Sequence, residues 1–428
     1  MFEKYDAYKD SCVGLIGQIP ENWSLKKLKF LTQVNASSLP ENHPKTEIIS
    51  YVDIGNVSFE KGISEVQQLK FSEAPSRARR LANCGDTVVS TVRTYLKAIT
   101  YVDERCSNYV YSTGFAVLSP NEELIPKFLL NFVKSNSFTH QVDVVAKGMS
   151  YPAINSTELS NLWVSFPDIE TQEKIVEFLD QKTSEIDQAI AIKEQQIALL
   201  NERKQIVIQK AVTQGLDPNV PMKDSGVEWI GQIPEHWEII KVKNLFKLII
   251  EPAPKNNDLE LLSVYTDIGV KPRKELEERG NKASTTDGYW KVRKGDIIVN
   301  KLLAWMGAIG LSNYDGVTSP AYDILRAIKP LNPYIYHLLF RSPTCSAELK
   351  KHSRGIMDMR LRLYFDKFGD VLVPYAPITE QNEIIKYIEV EEQKINAGIE
   401  LINQQIEKLK EYKTTLINDA VTGKIKVA

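Results

Sequence analysis

The sequence is poor in the residues around which small-molecule chemistry is usually built. Its 428 residues include only 4 cysteines and 5 histidines. Cys12, Cys84, Cys106 and Cys345 are scattered and form no C-x-x-C pair, which excludes a disulfide framework and reads as packing thiols in a reducing compartment. His43, His140, His236, His337 and His352 show no ligand spacing, so no metal site is expected. Apolar runs are strand-sized, well short of the roughly 20 residues that cross a bilayer. The opening MFEKYDAYKD is too polar for a secretory signal, so a cytoplasmic chain with no membrane partner is expected. An excess of one charge is missing too: 53 Lys and Arg stand against 55 Asp and Glu, which by itself argues against a basic nucleic-acid binder.

Catalytic constellations are equally scarce. Thr422-Gly423-Lys424 lacks the upstream glycine of a phosphate loop, and Gly307-Ala308-Ile309-Gly310 falls short of a dinucleotide fingerprint. Asn332-Pro333-Tyr334 carries part of the Asn-Pro-Pro-Tyr pattern of adenine methyltransferases but not its second proline, and reads as the start of a short helix. Pro167-Asp168 with Glu173-Lys174 has the wrong spacing for a nuclease and reads as a helix cap. No catalytic, cofactor-binding or metal-binding residues are assigned, and a binding protein is expected rather than an enzyme.

What the sequence does contain is a repeat. Asp10-Ser11-Cys12-Val13-Gly14-Leu15-Ile16-Gly17-Gln18-Ile19-Pro20-Glu21-Asn22-Trp23 returns as Asp224-Ser225-Gly226-Val227-Glu228-Trp229-Ile230-Gly231-Gln232-Ile233-Pro234-Glu235-His236-Trp237. Tyr51-Val52-Asp53-Ile54-Gly55 returns as Tyr265-Thr266-Asp267-Ile268-Gly269, Gly85-Asp86 as Gly295-Asp296, and Ala211-Val212-Thr213 as Ala420-Val421-Thr422. Between these islands the copies share almost nothing. One frame carrying two different inserts implies two similar tasks on two different targets.

Within 14–167 and 228–374, short β-branched and aromatic runs punctuated by Gly, Asn, Asp and Pro predict strands, among them 46–52, 87–92, 115–118, 261–265 and 296–299. Helices are expected at 126–134 and 333–340. The segments closing each half differ in period. Ile395, Ile399, Ile402, Ile406, Leu409 and Leu416 form a heptad seam interrupted at Lys413. In the first copy Ile186, Ile190, Ile197, Leu200 and Val207 do the same, interrupted at Lys193 and Lys204. Each seam is narrow and needs a partner helix. The chain order places a globular part after the first helix, so the two helices of about 40 residues pair antiparallel. The expected fold is mixed α/β (α+β): globular domains at 1–167 and 228–374, helices at 168–213 and 375–428 (the latter with the C-terminal tail), and a linker at 214–227.

Split along this frame, the charge is not neutral everywhere. Residues 14–167 carry 15 basic and 14 acidic side chains, and 228–374 carry 22 and 18, whereas helical segments 168–213 and 375–422 carry 6 against 9 and 5 against 9. Local positive potential is what phosphate binding requires. Basic residues interleaved with aromatics are candidates for DNA contact: Arg77, Arg79, Arg80, Arg93, Tyr95 and Lys97 in the first domain, and Lys291, Arg293, Lys301, Arg354, Arg360 and Arg362 in the second.

Two rounds of Gly-x-Ile-Pro-x-x-Trp (Gly17 to Trp23, Gly231 to Trp237), a Gly-Asp strand, Pro-x-x-x-x-Gln-x-x-Ile opening a helix (Pro167 to Ile175 and, with small departures, Pro377 to Ile385) and Ala-Val-Thr closing it resemble the specificity subunit of type I restriction-modification systems over essentially the whole chain. The resemblance implies two target-recognition domains separated by a pair of long antiparallel coiled-coil helices, with each domain reading one half of a bipartite sequence in double-stranded DNA and the helices fixing the spacer. It implies two modification subunits that hold S-adenosylmethionine, restriction subunits that use ATP and Mg, and a prokaryotic cytoplasm. It adds Lys147, Ser150, Tyr151 and Met357, around the turns at Gly148 and Gly355, to the candidate DNA contacts. A coiled-coil scaffold, or the specificity subunit of a methyltransferase-only complex, is the alternative.

Overall fold

The Gly-x-Ile-Pro-x-x-Trp segments open each copy with a short antiparallel strand pair, Tyr8–Asp10 with Gln18–Pro20 and Met222–Asp224 with Gln232–Pro234, in the computed structural model. The structure describes residues 2–276, 286–355 and 361–427. Trp23 and Trp237, which end the two motifs, are among the largest fully buried side chains. The chain divides into two compact units, residues 1–193 with 403–428, and residues 194–402. Each unit therefore holds one copy of the variable insert together with the start of one long helix and the end of the other.

In the first unit a four-stranded antiparallel sheet runs in the order Ile99–Tyr101, Thr87–Ser90, Phe115–Pro120, Thr32–Val34. A five-stranded sheet runs Ser37–Ser38, Ala78–Leu81, Val110–Ser112, Ile48–Val52, Gln67–Lys70, with Val110–Ser112 and Ile48–Val52 parallel. Strand Thr87–Ser90 is buried along its whole length, as its run of β-branched residues predicts. The core gathers Trp23, Phe128, Phe132 and Phe138 with Ile175, Leu179 and Ile186 of the first long helix and Leu416, Ala420 and Val421 of the second.

The second unit repeats the four-stranded sheet as Ile309–Leu311, Ile297–Asn300, Tyr322–Ala327, Phe246–Ile249. Its other strands pair more sparsely, Leu262–Tyr265 with Gly269–Pro272 and Trp290–Val292 with Gly316–Thr318. Trp237, Phe246, Tyr336 and Phe340 share its core with Ile208, Ala211 and Val212 from the first long helix and Ile384, Ile385 and Ile388 from the second. The two short helices expected from sequence form as Pro126–Val133 and Pro333–Phe340, each with proline in its first turn. Asn332 caps the latter by accepting from Tyr334 N–H at 3.1 Å, the helix-start role its sequence suggested.

The long helices are Ile169–Gln214 and Ile378–Val421. Asp168 caps the first by accepting from Thr171 N–H at 2.9 Å. In the first unit Asp187 binds Lys413 at 2.7 Å and Lys193 binds Gln405 at 2.6 Å, so partner numbers fall as the first helix advances. In the second unit Leu200 packs beside Gly398 and Lys204 binds Asn396 at 3.2 Å, in the same descending sense. Both stretches are antiparallel. Every expected seam position is buried or half-buried. The three lysines that interrupt the seams are the residues that reach across to the other helix. A polar residue at a seam position fixes register at some expense of stability. No helix among the described residues is long and apolar enough to cross a membrane.

Candidate nucleic-acid interface

Each unit carries one pair of loops mounted on the four-stranded sheet. In the first, strand Thr87–Ser90 ends in loop 91–98, which is closed by Ser90 N–H donating to Ala98 O at 2.9 Å. A hairpin at 147–153, in which Lys147 and Ala153 exchange backbone hydrogen bonds at 2.9 Å, docks on it. Ile154 N–H donates to Thr91 O at 2.8 Å and Thr94 N–H to Pro152 O at 3.2 Å. The clamp holds Arg93 in left-handed backbone geometry, φ +52°, and lays its guanidinium 5.3 Å from the centre of the Tyr151 ring. Tyr95, Met149, Ser150 and Tyr151 are exposed around it. Lys147 pairs with Glu158 at 2.8 Å, which raises the lysine pKa and lowers that of the carboxylate.

Arg77 flanks the same surface. Its carbonyl accepts from Thr113 N–H at 2.7 Å, and the next residue of that turn, Gly114, accepts from Thr91 N–H at 2.8 Å. A side chain on Gly114 would collide with Ile54 and crowd Val92, so this turn must stay bare for the elements to converge. The Arg77 guanidinium donates to the Tyr51 hydroxyl at 3.2 Å and to Asp53 at 2.6 Å; the tyrosine hydrogen bond and then the carboxylate hold its pKa up. Two of the other basic candidates of the first domain, Arg79 and Lys97, lie over aromatic rings. Arg79 lies 4.7 Å from the Phe71 ring centre, Arg80 is half-buried on the same strand, and Lys97 extends toward Phe59.

The second unit builds the same frame. Strand Ile297–Asn300 ends in loop 301–308, closed by Asn300 N–H to Ala308 O at 3.0 Å. Arg354 and Arg362 exchange backbone hydrogen bonds at 2.9 Å, and Leu363 N–H donates to Lys301 O at 2.8 Å. The side chains differ. Lys301 turns inward to Pro320 O at 2.9 Å and Asp323 at 3.3 Å, and burial pushes the Asp323 carboxyl pKa up. Arg354 pairs with Asp366 at 3.1 Å, and Lys291 and Arg293 share Glu251 at 3.6 and 3.4 Å. Arg362 is exposed. Met357 and Arg360 lie outside the described residues.

Several residues that organise these surfaces were not among the site residues expected from sequence, though some belong to its repeated motifs. The Arg341 guanidinium donates to the carbonyls of Gly307 and Ile309 at 3.0 and 3.2 Å and to those of Thr266 and Asp267 at 2.9 and 3.1 Å, tying loop 301–308 to the Tyr265–Gly269 island. Its sequence signal was available, because Arg341-Ser342 follows its helix as Lys134-Ser135 follows the equivalent one. Gln172 and Gln381 of the helix-opening motifs are buried. Gln172 accepts from Ile125 N–H and donates to Glu123 O and Pro167 O, all at 2.9 Å; Gln381 accepts from Asn332 N–H at 2.9 Å and donates to Ala376 O at 2.8 Å. The aspartates of the Gly-Asp strands accept backbone N–H groups three residues upstream, Asn83 at 2.7 Å and Arg293 at 2.8 Å.

Residues 20–202 match the family model described as type I restriction modification DNA specificity domain. The chain is 24% identical over 439 residues to the MjaX type I restriction enzyme specificity subunit of Methanocaldococcus jannaschii, covering 96% of each chain. It is 30% identical over 143 residues to the HindI specificity subunit of Haemophilus influenzae, covering 32% of this chain and 31% of that one. Its fold resembles a chain from a structural study of assembly and conformational transition in the type I R-M system, with TM-score 0.63 and 20% identity over 94% of this chain and 98% of the other. The HsdS subunit of Thermoanaerobacter tengcongensis aligns with TM-score 0.50 and 20% identity over 95% and 98% of the two chains.

Proposed function

The chain belongs to the specificity subunits of type I restriction-modification systems, and from that premise we propose that its two loop pairs each read one half of a bipartite DNA target. The observation that carries this reading is the repeated frame with unlike contents: loops 91–98 and 301–308 share their backbone closure and a docked antiparallel bridge, Lys147 with Ala153 and Arg354 with Arg362, yet present different side chains. Such a pair suits two unlike half-sequences, while a common frame keeps the manner of approach to the duplex the same in both. A scaffold that never touches DNA has no use for two exposed, rigidly clamped loops of this kind, and that alternative is not favoured.

In this reading the chain supplies address and scaffold. Methyl transfer from S-adenosylmethionine falls to two modification subunits, and ATP- and Mg-dependent translocation and cleavage to restriction subunits, with double-stranded DNA as the common ligand in a prokaryotic cytoplasm. The long helices would set the unread spacer and dock the modification subunits. Mapping adenine methylation in host DNA with and without this gene tests the proposal. A bipartite motif that disappears with the gene is the expected result, and an unchanged map overturns it.

A further inference from the structure

The two recognition loops can be compared position by position, because strands Thr87–Ser90 and Ile297–Asn300, the single turns Thr94–Leu96 and Ala304–Met306, and strands Ile99–Tyr101 and Ile309–Leu311 occupy equivalent places. Within that shared backbone Arg93 is matched by Leu303, Lys97 by Gly307, and Leu96 by Met306. The first loop thus offers a guanidinium at its tip. Both loops expose an aliphatic pair, Val92 with Leu96 and Leu302 with Met306, but only the second fills the position between them with a third, Leu303, so that Leu302, Leu303 and Met306 are 40%, 39% and 52% exposed together while the lysine that begins the loop is turned inward to Asp323.

This surface is held rather than loose. Arg341 fixes the carbonyls of Gly307 and Ile309, Leu302 N–H donates to the Asn300 side chain at 3.1 Å, and the Trp305 ring lies 4.8 Å from the Lys350 ammonium. Basic residues border it, with Lys350 and Lys351 on the helix beside the loop and Arg354 and Arg362 at the bridge that docks on it; Lys351 and Arg354 also pair with Glu348 and Asp366. A small apolar tip within a basic rim matches a duplex groove, where phosphates flank the base edges. Of the groups on those edges in the major groove, the C5-methyl of thymine is the one an aliphatic side chain recognises.

We propose that loop 301–308 is a thymine-methyl reader, so that the half-sequence read by the second unit contains a thymine whose C5-methyl packs on Leu302, Leu303 and Met306. This rests on the DNA-reading function proposed above and assigns the ligand chemistry of one of its two sites.

The test uses the specificity subunit assembled with its modification subunits and the bipartite duplex defined by the methylation map. Each thymine is replaced singly by uracil, which removes only the methyl group, and affinity is measured by competition at fixed salt. One uracil position is expected to weaken binding about fourfold, the worth of one buried methyl, and in Leu303→Ala the same replacement is expected to lose most of that effect. The inference is overturned if sequence-specific binding persists with no thymine distinguished from uracil, or if Leu303→Ala leaves the discrimination intact. It is also overturned if Leu303→Ser weakens assembly with the modification subunits while thymine and uracil are still told apart, since the surface would then be a protein dock. Absence of any sequence-specific binding would instead count against the DNA-reading function itself.

Discussion

Gly215 and Gly423 end the two long helices in the same left-handed conformation, φ +74° and +73°, and each faces an Ile-Pro-x-x-Trp motif. Alanine at either position carries the same backbone penalty of roughly 1–2 kcal/mol, so the difference between the two variants isolates what the new methyl meets. At Gly423 it would lie 2.5 Å from two ring carbons of Pro20 and 3.3 Å from Trp23, and a proline ring seated against a buried tryptophan cannot turn aside. At Gly215 its nearest neighbour is Glu380 Oε1 at 3.0 Å, the end of a side chain that can rotate about its other oxygen, which Trp237 Nε1 holds at 3.0 Å. Overpacking costs about 1–3 kcal/mol where nothing yields. Gly423→Ala should therefore lose about 10- to 100-fold more protection at the amides of 419–423 than Gly215→Ala loses at 211–215, read by native-state hydrogen exchange. Equal losses, or a larger one at Gly215, would refute the argument that the second helix closes on the first Trp motif as drawn.

Gln172→Leu removes the partner of three backbone groups at once, that of Pro167 buried, and is expected to lower stability by about 1–3 kcal/mol, read as a lower urea midpoint, whereas Gln172→Glu should retain part of the network. Burial, reinforced by Arg341, holds the His337 pKa down at about 4, and its Nδ1 accepts from Leu311 N–H at 3.1 Å. Because the unfolded chain takes up this proton near pH 6.5 and the folded one does not, His337 should make the second unit lose up to about 3 kcal/mol as pH falls from 6.5 to 4, with no further loss from this group below that; a pH-independent contribution in a comparison with His337→Gln would contradict this. Arg93→Ala should weaken specific DNA binding by the assembled complex roughly tenfold and relax one half-sequence only. Inserting about one helical turn within 186–207 should lengthen the recognised spacer by about 1–2 base pairs with both half-sequences unchanged, and methylation mapping of the variant reads this directly.

The parts of this architecture that repeat, or that have a simple period, were legible in the sequence. Heptad spacing gave both long helices and their seams, and the β-branched run after Gly85-Asp86 gave the strand that carries loop 91–98. Long-range facts were not legible. Nothing local says that Ala420-Val421 packs with Trp23 rather than with the copy nearer in sequence, since that pairing joins the two ends of the chain; Lys426 N–H donates to Glu3 O at 2.8 Å. Nor does composition reveal which cations are already engaged. Arg354 belongs to a basic cluster as sequence and Lys301 stands alone, yet both are in ion pairs as structure, while Arg93, grouped with Lys97 in the sequence, stands at a clamped loop tip.

The lysines in the helix seams carry one more implication. Sliding one helix along the other by a turn, about 5.4 Å, would pull Lys413 away from Asp187, Lys193 from Gln405 and Lys204 from Asn396, and would set ammonium groups against isoleucine. Intermediate positions satisfy neither the polar links nor the apolar stripe. The helix pair therefore behaves as a gauge with discrete settings, so inherited changes in its length are expected to survive in steps that restore the lysine partners, and target spacers in such a lineage should change by jumps rather than by drift.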